Sequence, residues 1–507
     1  MRIAIAAVVI GLGRSGVLLA QCPDGSPPPC GRPAPHLPAS TSIAVLYFDN
    51  LSRDTSDAYV ADGLTEELIT RLGEIDRLQV KSRTAVQRYR GKPIDDPAAL
   101  ARALNVAHLV SGTVQQGGGR LRVTVELTRA VSGTRVWGQS YERSVTDLMG
   151  VEGEIAQAIA EGVGGRLAPA ERKSLAVRPS RNPEAYDHYL RGNYFLARRN
   201  PADVRFAIDQ YQKAVGLDSS FTAALARIGY SYALYLDWGW TYPGLAWDSI
   251  LARGFAVDDR ALAVDSAVAD VWMARGYLLS FKNPQTFAGV DAAFQRAIAR
   301  DSRNAEAYHQ YAYMLLLTGR DSLASSMAER ALALEPERPI TLITLAFVRR
   351  LQGRFAESRA LCDSAVALVP DAAWVYARRS LWRARSDLAG SLADAQTAAR
   401  LEPPDFPIEA EAVLALAEYR TGDTSAARAR LARAAAASGN GSQAAYFLAT
   451  AFAGIGDADG AIATLQRMVP QGAFMWTFMR DPWFDGIRDD PRFRALAEEG
   501  RPANPEH

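Results

Sequence analysis

Cysteine is scarce in this chain, with three in 507 residues. Cys22 and Cys30 share a short Pro-rich stretch, and Cys362 stands far from both. No C-x-x-C pair and no Cys/His cluster occurs, so the spacing that a zinc site needs is missing. Histidine is equally thin: His36, His108, His188, His309 and His507 are scattered. An excess of one charge is also lacking. The 57 Lys and Arg against 56 Asp and Glu leave a net charge of +1, which argues against a broad electrostatic footprint for nucleic acid or an anionic membrane. G-x-S-x-G, H-E-x-x-H and P-loop patterns are absent. These gaps leave no catalytic residues to nominate and no metal or cofactor to expect, so the chain reads as a non-enzyme.

Long apolar runs are confined to the first 20 residues, MRIAIAAVVIGLGRSGVLLA. Arg2 is a positive start, Ile3 to Gly13 an apolar stretch of secretory-leader length, and Ala20 a residue before cleavage that leaves Gln21 as the new terminus. Arg14 interrupts the stretch, which is too short and too broken to span a membrane. Gly11, Gly13 and Gly16 spell G-x-G-x-x-G, but the CPDGSPPPCGRPAPHLPAS that follows can form neither the helix nor the second strand of a dinucleotide fold. The expectation is a leader at 1–20 and a Pro-rich linker at 21–40, hence a periplasmic or envelope location, with the cytoplasm as the alternative if the leader is not used. In an oxidising compartment Cys22 and Cys30 could close a disulfide, with two free thiols the alternative. Gln21 stands where a lipidation signal wants Gly, Ala or Ser.

What the chain does have is a repeat of about 34 residues over its C-terminal two-thirds. One copy runs Tyr308, Tyr311, Ala312, Leu315, Gly319, Ala324, Ala328, Ala331, Pro336. The next runs Leu342, Leu345, Ala346, Gly353, Ser358, Cys362, Ala365, Pro370. That period is the signature of tetratricopeptide (TPR) helix–turn–helix units, which bury their apolar faces only against their neighbours and coil into a superhelix with a concave groove. About eight such units are predicted over 183–470. A tail at 471–499, with Trp476, Phe478, Trp483, Phe484 and Phe493, is expected to cover the last unit as a helical cap.

Residues 41–168 read differently. Ile43 to Phe48 is a buried-strand run. Residues 59–74 have helical spacing, with Asp62 and Thr65 as candidate caps. A strand at 78–82, a helix at 96–105, and strands at 107–116, 120–129 and 134–142 follow. Gly117 to Gly119 join two of these in a hairpin, and a helix at 146–165 leads out. The fold class is therefore an α/β domain with a mixed sheet and flanking helices, followed by an all-α TPR solenoid. The stretches SIAVLYFDNLSRDTSDAYVADGLTEELITRLGEIDRLQVKSRTAVQRYRGKPID and ALNVAHLVSGTVQQGGGRLRVTVELTRAVSGTRVWGQSYER, with the NPEAYDHYLRGNYFL after them, resemble the TolB-N-like/FlgO-like domain of bacterial TPR proteins. In that family the module often follows a winged-helix, kinase or adenylate cyclase domain. Only 40 residues precede Thr41, so those roles are not expected to carry over. Asp49, Asn50 and Asp62 suit a strand-to-helix loop and a cap, with a ligand pocket there as the lesser alternative.

By analogy with other arrays, the first helix of each unit lines the groove. Counting from each repeat start puts His309, Tyr313, Phe347, Arg350, Trp374 and Arg385 on or near it, a candidate peptide surface with aromatic and Arg anchors. Clamps for a C-terminal carboxylate place Lys and Asn where His309 and Tyr313 stand, so such a clamp is not expected. The implied partners are other proteins or peptides in the groove, without nucleic acid and without a transmembrane span in the mature chain. The sequence leaves the oligomeric state open.

Overall fold

The computed structural model describes residues 39–54, 57–282, 286–401, 408–437, 442–467 and 473–502. The expected leader, the linker through residue 38, the glycines at 11, 13 and 16, and the Cys22/Cys30 pair lie outside the described residues.

The N-terminal unit is built on one mixed sheet. Strands β1 (Ser42–Val45), β2 (Asp49–Asn50), β3 (Gln79–Val80), β4 (His108–Gly117), β5 (Arg120–Arg129) and β6 (Thr134–Ser144) lie in the order β3-β1-β4-β5-β6, with β2 extending β1 alongside β4. The β1–β3, β1–β4 and β2–β4 pairs are parallel, and β4–β5–β6 is an antiparallel meander. β1 is buried throughout, because Ile43 and Val45 face α1 (Ala58–Gly73) and α4 (Leu148–Gly164) while Ala44 and Leu46 face α3 (Pro97–Leu104). A strand covered on both sides needs a continuous apolar run, and that is what the sequence has. β5 has one covered face and alternates: Leu121, Val123, Val125 and Leu127 are buried while Arg122 is exposed. Gly118 and Gly119 turn β4 into β5 at φ 57° and 74°, a two-residue turn that needs positive φ at both positions and so takes glycine.

Two local expectations are corrected. Asp62 and Thr65 do not cap α1, which starts earlier, after Asp57. Both are buried inside the helix, where Thr65 Oγ1 accepts from Phe48 N at 3.1 Å and Asp62 pairs with Arg90 at 2.6 Å. Asp49 and Asn50 form the short strand β2 rather than a loop. Short helices α2 (Arg83–Gln87) and α5 (Pro169–Leu175) were not expected. They are too short for a helical period to show.

Eight helical hairpins follow: α6/α7 (Pro183–Leu196, Pro201–Leu217), α8/α9 (Thr222–Trp238, Trp247–Val264), α10/α11 (Ala269–Lys282, Val290–Arg300), α12/α13 (Ala305–Leu317, Asp321–Leu334), α14/α15 (Pro339–Leu351, Phe355–Leu368), α16/α17 (Ala373–Arg383, Leu388–Leu401), α18/α19 (Ile408–Thr421, Thr424–Ala437) and α20/α21 (Ser442–Gly454, Ala458–Gln466). Each first helix meets its second through one small residue: Gly192, Gly229, Gly276, Ala312, Ala346, Ser380, Ala415 and Ala449 in turn. Each of the first seven second helices carries a buried alanine, Ala214, Ala261, Ala297, Ala331, Ala365, Ala398 and Ala434 in turn, and the rings of Tyr211 and Phe294 face Gly192 and Gly276. Small residues let the paired backbones approach, and Tyr211, Phe294 and Leu315 fill the layers between hairpins. These are tandem TPR hairpins. Helix α8 ends at Trp238 and turns at Gly239 (φ 64°), and the aromatic residues that follow, Trp240 and Tyr242, pack against Tyr235.

The tail departs from a simple end cover. α23 (Pro491–Gly500) buries Phe493 beside Phe484 of a 3-10 helix, Pro482–Ile487. α22 (Ala473–Met479) instead reaches back across the superhelix. Thr477 Oγ1 donates to the carbonyls of Leu316 and Leu317 at 3.1 and 2.9 Å, Arg480 pairs with Asp321, and Phe478 stacks between Phe347 and Tyr446. The coil of the superhelix brings α12 within reach of the last repeat, although about 160 residues separate these partners.

Candidate functional site

The α/β unit is clasped to the first repeat by a buried polar network. Tyr59 on α1 donates to Asp187 Oδ1 at 2.5 Å and accepts from Arg191 at 2.8 Å, both on α6. Tyr186 of α6 donates to Glu152 of α4 at 2.8 Å. Arg71 holds Glu67 at 2.8 Å and donates to the carbonyls of Leu175 and Val177. Burial and the neighbouring Glu67 push the Glu152 carboxyl well above the usual carboxylate range. From this clasp the unit arches over the solenoid to a second landing, where Arg88 pairs with Glu337 at 3.0 Å and Asp76 with Arg303 at 3.1 Å.

Between the two landings lies a cleft of about 1700 Å³. One wall is α1 and the β3–α2 segment, with Glu66, Thr70, Lys81 and Arg83. The other is the inner edge of the superhelix, with Arg199, Arg227, Tyr230, Arg303, Arg338 and Trp374. A recess of about 60 Å³ opens off the cleft where Arg199, Trp238 and Ile340 line both spaces. Helices α8, α10, α12, α14, α16, α20 and α22 surround it.

The electrostatics at this junction centre on Glu306. Its carboxylate takes Arg338, Tyr230 OH at 3.0 Å and Gln310 Nε2 at 2.8 Å, with Arg199 at 3.8 Å. Although burial works against the charge, Arg338 and Arg199 hold Glu306 well below the usual carboxylate range. Burial, reinforced by Arg338 and Arg199 and opposed by Glu306, pushes His309 down to about 3, so its ring is neutral. Asp237 is pushed up to about 6 by burial, against hydrogen bonds from Tyr277 and Tyr313. Arg378 donates to Gln443 at 2.7 Å and lies 3.9 Å from Glu409.

The six residues nominated from sequence divide into three groups. His309, Tyr313 and Phe347 line the recess, and Trp374 stands on the cleft wall. Arg350 is not a groove residue available to a partner, and Arg385, though exposed, is engaged by the tail, which corrects that expectation. Arg350 is 4% exposed and holds Asp481 through Nε and Nη2 at 2.8 and 3.0 Å. Arg385 donates to the Pro482 carbonyl at 2.9 Å and covers the Trp483 ring. The tail occupies the surface that counting had left open. Helical spacing could have added Glu306, Gln310 and Arg378, which lie on the stripes of Tyr313 and Trp374 at i+4 and i+7. Arg199, Arg338 and the α1 wall carry no such signal, because turns and domain docking place them.

Among the described residues no group of three or more His, Cys, Asp or Glu could hold a metal ion, and no helix is long and apolar enough to cross a membrane.

No family model matches the chain. A stretch of 196 residues is 31% identical to the putative adenylate cyclase 3 of Rhizobium meliloti (strain 1021), covering 39% of this chain and 33% of that protein. The chain thus spans about a third of the length of that curated relative. Similar solved structures include the Cut9 and Hcn1 assembly of the APC/C (TM-score 0.44, 12% identity, 69% of this chain and 62% of that one). Yeast Tom70 is another (TM-score 0.40, 14% identity, 70% and 82%), as is PilF of Pseudomonas aeruginosa (TM-score 0.34, 17% identity, 43% and 90%).

Proposed function

We propose that this chain is a non-enzymatic scaffold that holds a partner polypeptide in the cleft between its α/β unit and the inner edge of its TPR superhelix. One observation carries the reading: two landings hold the α/β unit like a lid arm over the TPR edge, leaving about 1700 Å³ between them, walled by Arg, Glu, Tyr and Trp side chains. A space of that size exceeds a small-molecule pocket and suits several residues of extended chain. We propose further that the N-terminal unit is a TolB-N-like/FlgO-like domain, on the residues that carry that resemblance. The leader-like residues 1–20 support export to the cell envelope, with a mature terminus at Gln21.

The test is a photo-crosslinking residue at Gln87 or Trp374, which line the cleft, against one at Arg359 on the exposed face of α15. Partner polypeptide captured in cells from the cleft positions and not from Arg359 fits the reading; equal capture from all three refutes it. The intact mass of chain from separated cell fractions tests export, since an uncleaved cytoplasmic chain would remove that part. A second reading, a cytoplasmic regulatory module that works with a separate output domain, is favoured by the relative named as an adenylate cyclase. Recovery of a winged-helix, kinase or cyclase protein bound to residues 41–168 would favour it.

A further inference from the structure

Three of the chain's nine tryptophans line the one large cleft: Trp238, Trp240 and Trp374. The end of α8 and the connection after it supply two of them. That connection takes eight residues, 239–246, where α6/α7 turns in four, 197–200. The rings of Trp238 and Trp240 lie 5.3 Å apart, and Trp240 is held by the ring of Tyr235 in an edge contact at 5.3 Å. Trp238 and Trp374 are each partly exposed. Fixed, partly exposed aromatic rings are the surface on which a polyproline II segment docks, because that helix brings its order with it and loses little entropy on binding.

Charge selects no ligand of one sign, since eight Lys and Arg line the cleft against ten Asp and Glu. A weakly charged, proline-rich segment is present in the chain itself. Residues 21–38 hold seven prolines in 18 positions, with one acid, Asp24, and one base, Arg32. This stretch joins the fold at the rim of the cleft. The Thr41 carbonyl accepts from the backbone N–H of Gln79 at 3.1 Å, and Gln79 lines the cleft. The N–H of Ser42 donates to the Ala39 carbonyl at 2.8 Å, a turn that folds the chain back where it enters β1. At about 3.1 Å per residue, Pro35 to Pro27 lie about 12–37 Å of chain from Ala39, a reach that covers a 1700 Å³ space opening at the segment's own root.

We infer that residues 21–38 occupy the cleft of their own chain as a polyproline II segment against Trp238 and Trp374, and that a partner polypeptide enters by displacing them. This rests on the cleft reading above and adds a built-in competitor to it. The tether decides between this occupant and the same segment of a second copy. A tethered segment acts at an effective concentration in the millimolar range, so contacts too weak to hold a free peptide still fill the cleft in cis.

The experiment uses the full chain with a photo-crosslinking residue at Gln87 on the α/β wall or Ala373 on the solenoid wall, both lining the cleft, and at Arg359 of α15 as the control. Purified protein is irradiated and the joined peptides are identified by mass spectrometry. Residues 21–38 are expected in crosslinks from Gln87 and Ala373, within one chain, and not from Arg359. Replacing Pro27, Pro28, Pro29, Pro33 and Pro35 together by serine keeps the tether's length and is expected to lower that yield at least tenfold. Trp374→Leu, checked for a native melt, is expected to lower the yield from Gln87 at least threefold, through the loss of aromatic contact. In cells, the serine variant is expected to capture at least threefold more partner at Gln87. A crosslink that survives the five serines would overturn the inference, since the segment would then lie nearby without being recognised. Crosslinks only between two chains would overturn the assignment in cis. Partner capture at Gln87 that is equal in the parent and the serine variant, with no crosslink to 21–38, would overturn the competitor and leave the cleft reading standing. No capture of partner or segment at either cleft position would sink both.

Discussion

Gly229 and Gly276 occupy the same position in consecutive hairpins, yet a methyl group added at each should change stability in opposite directions. At Gly229 of α8 the new Cβ would find Ala274 Cβ at 3.5 Å and Asp258 Cβ at 3.9 Å, ordinary contacts. Gly229→Ala then gains helix propensity of about 1 kcal/mol and fills space without displacement. At Gly276 of α10 the Cβ would fall 2.7 and 2.8 Å from two ring carbons of Phe294. That ring has nowhere to go: it is 0% exposed and stacks on Tyr311 at 5.4 Å between centroids. Overpacking of this kind costs about 1–3 kcal/mol, which offsets the propensity gain of about 1 kcal/mol, so Gly276→Ala should lose up to about 2 kcal/mol. Gly192→Ala, which would press on the buried Tyr211 ring, should behave like Gly276→Ala. Urea titrations followed by far-UV circular dichroism, with hydrogen exchange on α8 and α10 to localise the effect, give the sign at each site. A Gly229→Ala variant that loses as much as Gly276→Ala would refute the packing argument, because propensity and space both favour alanine there.

Three other outcomes are expected. Arg350→Ala strands the Asp481 carboxylate, 0% exposed with Tyr446 OH at 3.0 Å as its remaining side-chain donor, and should cost about 3–5 kcal/mol. The double replacement Arg350→Met with Asp481→Leu should recover most of that in a mutant cycle, and a loss equal to the single variant's would show that the pair itself contributes the stability. Asp237 has its pKa raised from 3.8 to about 6 by burial, so the fold disfavours its charged form. Stability from this group is present below pH 4 and is lost as the pH climbs through 6, a change of about 3 kcal/mol. Asp237→Asn should therefore be more stable than the parent at pH 7 and flatten the fall between pH 4 and 6, and an unchanged pH profile of urea midpoints would count against the assignment. Burial pushes the Cys362 thiol up from its ordinary value, so iodoacetamide at pH 8 should leave the Cys362 peptide unmodified in the native chain and label it fully in urea.

The outline of both units could be read from local pattern. The IAVLYF run gave a strand with two covered faces, the LRVTVELT alternation a strand with one, and the 34-residue period eight hairpins with Gly, Ala or Ser at each close approach. These patterns survive because burial of a strand or helix face against its immediate neighbours is decided within a few residues or one repeat. Short elements escaped, since α2, with its five residues, makes little more than one helical turn. The site was half visible. His309, Tyr313, Phe347 and Trp374 came from repeat counting, and the counting failed where the tail returned to claim Arg350 and Arg385.

The sequence by itself determined the helix and strand periods, the repeat register and which face of each first helix points inward, because these depend on contacts near in the chain. The tertiary structure alone decided that the α/β unit lands on both Asp187 and Glu337, that α22 crosses back to α12, and that Arg199 and Arg378 meet at one recess. Those contacts join residues 107 to 249 positions apart. They follow from the summed small rotations between successive hairpins, which no single repeat records.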